Sequence, residues 1–117
     1  MSQQSARTQP RRIAFVGGLE RLEREILSFG GSLGLEVEMH NGHTWGGGTA
    51  RLVGLMQRAD LVIIVTGTNS HNAVQMARRE AAKSGARVRL VKFLGAGSAR
   101  ALLTEVAQFN AVEGIHR

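Results

Sequence analysis

Four short apolar runs punctuate the chain, and each is followed by a stretch with helical spacing. Ile13-Ala14-Phe15-Val16 is continuously apolar and is closed by Gly17-Gly18. A run of this kind suits a strand covered on both faces. Leu22, Ile26, Leu27 and Phe29 then recur at roughly helical spacing between Leu19 and Leu33, and Gly34 marks the stop. Leu35 to Met39 alternates with Glu36 and Glu38, the pattern of a half-exposed edge strand. A glycine-rich loop, His40 to Gly48, leads into a second helix that opens at Gly48 or Thr49 and carries Leu52, Val53, Leu55 and Met56. Asp60 closes a turn before Leu61-Val62-Ile63-Ile64-Val65, the most apolar run, which reads as a central strand. After the polar loop Thr66 to Ser70, a third helix spans about His71 to Lys83, with Ala73, Val74, Met76, Ala77 and Ala81 on its inner face. Val88, Leu90 and Val91 form the fourth strand, and a last helix from about Ser98 to Phe109 buries Leu102, Leu103, Val106 and Phe109.

Strictly alternating strands and helices imply parallel pairing with right-handed crossovers. The expected fold is therefore a single Rossmann-like α/β domain of three layers. Its four-stranded parallel sheet has the order 2-1-3-4, with helices on both faces. The domain spans 12–110, with a disordered basic tail over 1–11 and a frayed end over 111–117. A chain of 117 residues fits one such core. No apolar run is long enough to cross a bilayer, and the polar start lacks the apolar stretch of a secretory leader. The expected location is the cytoplasm, with no membrane partner. The absence of cysteine excludes disulfides, zinc–thiolate sites and thiol catalysis.

The formal charge of +6 invites a nucleic-acid reading. Half of the excess lies in Arg7, Arg11 and Arg12. The rest is mixed with acids, as where Arg21 and Arg24 sit among Glu20, Glu23 and Glu25. Aromatic residues make up 4%, too few for a base-stacking platform. No specific nucleic-acid partner is expected.

In a sheet of this order, ligands gather at the carboxyl ends of the strands, beside the switch point between strands 1 and 3. Three of the four histidines fall in loops at that edge: His40 and His43 after strand 2, and His71 after strand 3. These three are the candidate metal ligands. A helix N-terminus favours an uncharged His71 ring able to ligate a metal. Ser70 and Asn72 would orient that ring, and Gly17 and Gly18 would leave room for close approach. The plainer readings are that Ser70, His71 and Asn72 cap the helix and that His40 and His43 belong to a solvated loop. Trp45 reads as cover for the core or for a subunit contact.

Other chemistries fit poorly. The first loop lacks G-x-G-x-x-G and sets Glu20 where a pyrophosphate would lie. Strands 1 and 3 do not end in acids, as a receiver-like phosphorylation site requires. Ser70 and His71 are adjacent and cannot pair as nucleophile and base, and no matched carboxylates are present. The chain is not expected to be an enzyme. An anion or nucleotide held by Thr66, Thr68, Ser70 and the amides opening the third helix remains an alternative ligand. A protein-interaction domain without a ligand is the other.

Phe15-Val16-Gly17-Gly18, Met39-His40-Asn41-Gly42, Ala59-Asp60-Leu61-Val62 and Ser70-His71-Asn72-Ala73 follow one another in an order and spacing that resembles the bacterial domain-of-unknown-function family 2325. The resemblance covers about Ile13 to Val106. It implies a small cytoplasmic protein associated with haem and iron, the haem being bound through histidine. His40 and His71 fall on the family's histidine positions. Met39 stands where a second histidine is common, Gly67 and Thr68 where an Asp-Cys pair is common, and Phe93 and Leu94 replace polar residues after strand 4. The expected cofactor is thus haem or a transition-metal ion. Phe93 and Leu94 would suit an apolar planar ligand or the contact of a homodimer, which is the expected assembly.

Overall fold

The structure is a computed structural model that describes residues 10–17, 20–43, 46–67 and 71–115, with side chains to 110. Its elements are β1 (Arg12–Val16), a single 3₁₀ turn (Glu20–Leu22), α1 (Glu23–Ser32), β2 (Glu36–His40), α2 (Gly48–Arg58), β3 (Leu61–Val65), α3 (His71–Ser84), β4 (Arg87–Val91) and α4 (Ala96–Ile115). All neighbouring strands pair in parallel, in the order β2-β1-β3-β4. The fold is the Rossmann-like α/β domain that the alternation predicts.

The pleat divides the apolar residues between two cores. Ile13, Phe15, Leu61, Ile63 and Val65 face α1 and α4, where Ile26, Leu102, Leu103 and Val106 meet them. Ala14, Val16, Val62 and Ile64 face α2 and α3, where Leu52, Leu55, Met56, Ala77 and Ala81 meet them. Every residue of β3 is buried, which explains its unbroken apolarity. β2 alternates because one of its edges and part of one face remain open. Small residues on α3 (Ala73, Ala77 and Ala81) bring that helix close against the sheet.

Asp60 joins the amino ends of three strands. Its carboxylate accepts the backbone N–H groups of Arg11 and Arg12 at 3.0 Å each. Its own N–H donates to the Arg12 carbonyl, and its carbonyl accepts from Arg87. Two boundaries differ from the sequence reading. Pro10 is buried and its carbonyl accepts the Asn110 amide at 2.8 Å, so the body begins before residue 12. The last helix starts at Ala96 and continues past Asn110 to Ile115, because no proline follows Asn110 to end it.

Candidate functional site

β2 ends in His40, which is 7% exposed. The next seven residues must turn back to start α2 on one face of the sheet. His40 closes that turn. Its Nδ1 accepts the Gly42 N–H at 2.9 Å, and its Nε2–H donates to the Gly48 carbonyl at 2.9 Å. The two contacts require one uncharged tautomer and use both ring nitrogens. Asn41 tightens the loop by accepting the His43 N–H on its side-chain oxygen at 2.9 Å. Gly48 must lack a side chain, since a Cβ there would collide with the His43 carbonyl. The carbonyl of His40 accepts from Gly17, extending the β1–β2 ladder by one rung. His40 is therefore a structural clamp. Both ring nitrogens that a metal could use are committed to the His40–Gly48 loop in this structure.

His71 lies at the first position of α3, and both His71 and Asn72 are exposed. Gln75, one turn on, donates its amide N–H to Nε2 of His71 at 3.2 Å. Both side chains of this contact are exposed, so a ligand at Nε2 would have to displace only an exposed hydrogen bond. His43 is exposed on the β2–α2 loop. Ser70 and Gly18, also candidates from the sequence, lie outside the described residues, as do Thr68 and Trp45. Thr66 donates its hydroxyl to the Val91 carbonyl at 3.4 Å.

A cleft of about 560 Å³ runs along the β2 edge, between Glu20 and Glu23 on one side and Arg51 and Arg58 on the other. His40 lines it, while His43 and His71 do not. The topology explains the separation: β1 stands between β2 and β3, so their loops start roughly 10 Å apart. Sequence reasoning missed Arg51 and Arg58 because neither lies in a loop. Their signal was the polar face of the second helix. Arg58 is held by Glu38 at 2.9 Å, so the cleft is of mixed sign.

Phe93 is the side chain at the carboxyl edge that the apolar loop after strand 4 supplies, and it is 66% exposed. Its ring packs on Gly67, where a Cβ would collide with both the ring and the Lys92 carbonyl. Lys92 holds its ammonium 5.8 Å from the ring centre. An exposed aromatic face and a cation thus border the β3–α3 loop that leads to His71.

A bound transition ion needs three or four protein ligands. Among the described residues, no three His, Cys, Asp or Glu side chains stand close enough to hold one. Among the described residues, no helix is long and apolar enough to cross a membrane.

Comparison with known proteins agrees with the fold. A de novo designed Rossmann fold protein superposes with a TM-score of 0.56 at 19% identity, over 83% of this chain and 96% of the design. No curated protein matches the chain. Residues 12–106 match the family described as "Uncharacterized protein conserved in bacteria (DUF2325)", and the chain belongs to that family.

Proposed function

We propose that the protein is a cytoplasmic, non-catalytic ligand-binding domain that takes haem at the carboxyl edge of the sheet, with His71 as the protein ligand to iron. The observation that supports this reading is the state of the two matched histidines. His40 spends both ring nitrogens on its own loop, whereas His71 is exposed with its Nε2 acting as acceptor. The iron would replace the Gln75 amide at Nε2. The exposed Phe93 ring offers a flat apolar surface at the same edge, and Lys92 offers a cation for a propionate. His40, Asn41 and Gly42 serve as scaffold.

The test is a titration of ferric haem into the full chain, purified without a histidine tag and followed by its Soret band. His71→Ala abolishes the band or weakens binding at least tenfold, and Phe93→Ala weakens it less. His40→Ala and His43→Ala leave the band position unchanged wherever circular dichroism shows the fold intact. An unshifted band and unchanged affinity in His71→Ala refute the reading. Inorganic pyrophosphate run in parallel, binding with haem inactive, would favour an anion site instead.

A further inference from the structure

We infer that the outer edge of β4 is a homodimer contact, in which two copies pair antiparallel about a two-fold axis at Arg89 and join their sheets into one of eight strands. Among the described residues, the strongly exposed large hydrophobic side chains are Val88, Leu90, Phe93 and Phe109. Val88 and Leu90 lie on β4, Phe93 follows it, and Phe109 stacks under Arg87 with the guanidinium 6.0 Å from its ring. One edge of the molecule thus holds all four. The contact needs Val88 and Leu90, which are 38% and 44% exposed. The ladder stops at Val91 and so does not use Phe93.

The backbone selects the register. In a parallel ladder, a residue turns its N–H and C=O to the same side, and successive residues alternate. Arg87 donates to the Asp60 carbonyl and Val91 accepts from Thr66, so Arg87, Arg89 and Val91 face β3. Val88 and Leu90 therefore direct their N–H and C=O groups outward from the sheet. Centring an antiparallel pair on Arg89 sets Val88 opposite Leu90 of the second copy, and Leu90 opposite its Val88. Four hydrogen bonds then engage every outward group of the two strands. Shifting the centre to Val88 or Leu90 engages half of them.

The side chains agree with that register. Val88 and Leu90 share one face of the pleat, so the pair forms an apolar cluster of four. The two Arg89 side chains meet near the axis on the other face, each bound to its own Glu105 at 3.5 Å. The β2 edge offers less. Its Val37 and Met39 are half covered, whereas Val88 and Leu90 on the β4 edge are exposed. Five strand residues fall short of the roughly 1,200 Å² of a stable contact. The flanking α3 and α4, with Phe109, must supply the remainder.

The chain has no cysteine, so single cysteines report cleanly. Arg89 would be a non-hydrogen-bonded pair, with the α-carbons about 4.5 Å apart, close enough for a disulfide. Sedimentation of the full chain is expected to give twice 12.6 kDa. Mild oxidation of Arg89→Cys is expected to give a covalent dimer, and oxidation of Glu38→Cys on the β2 edge is not. Leu90→Pro removes an outward N–H while sparing the bonds to β3 and should halve the mass. A monomer at the highest workable concentration overturns the inference. So does cross-linking through Glu38→Cys but not Arg89→Cys. If Leu90→Pro does not fold, the two cysteine variants decide.

Discussion

Replacing His40 with alanine removes two hydrogen bonds at once and strands the buried Gly42 N–H that its Nδ1 accepts. An unsatisfied buried group costs about 1–3 kcal/mol, and the lost contacts add to it. His40→Ala is therefore expected to lower stability by about 2–4 kcal/mol in urea unfolding. His43→Ala and His71→Ala, both on exposed side chains, should stay within about 0.5 kcal/mol of the parent. Equal effects at the three positions would contradict the clamp. The sequence places these histidines at the correct edge of the sheet but cannot separate their roles. That separation depends on which ring nitrogens find partners within eight residues, and on Gly48 letting the His43 carbonyl come close. Neither property leaves a mark in spacing alone. The departures Met39 and Gly67 remain informative. Met39 faces the α1 side of the sheet, and Gly67 leaves the place that the Phe93 ring fills.

At the scale of elements, the apolar pattern carries most of the information, because burial on one or both faces fixes it. Leu61–Val65 is legible as central, since only a strand covered twice can be apolar throughout. The alternation in Glu36–His40 likewise marks an edge. β4 is the element the pattern describes least well. Val88 and Leu90 suggest a covered face, yet four of its five residues are exposed. A strand that keeps apolar side chains for a second copy looks, in sequence, like a strand that buries them in its own core. The contrast is measurable. Ile64, fully buried between β1 and β4, is expected to cost about 3 kcal/mol as Ile64→Ala. Leu90→Ala in dilute monomer should cost under about 1 kcal/mol. At high concentration, Leu90→Ala should cost more, since dissociation is then coupled to unfolding. A concentration-independent effect of Leu90→Ala would argue against the β4 pairing.

For the molecule as a whole, the sheet order follows from alternation and handedness, and the net charge is the property most open to misreading. Fifteen basic residues against nine acidic ones give +6. In the folded chain the two signs interleave. Arg12 pairs with Glu36, Arg58 with Glu38, Arg89 with Glu105, Arg100 with Glu25, and Lys83 with Glu80. Apart from the largely covered Glu80, these side chains are exposed, and such pairs contribute little to stability. These contacts set an acid beside five of the basic side chains, which interrupts the positive surface they would otherwise offer a phosphate backbone. A duplex could then engage only a few cations at a time. Each neutralised phosphate contributes about 0.9 to the slope of log affinity against log salt. The expected slope for random-sequence duplex DNA is therefore shallow, about −2 to −3. Binding should be weak at low salt, lost near physiological salt and indifferent to sequence. Fluorescence anisotropy across a salt series with two unrelated duplexes measures both properties. A steep slope with tight retention of one sequence would show that the arginines converge on a nucleic acid, and the ligand-binding reading would then have to yield to a DNA-binding one.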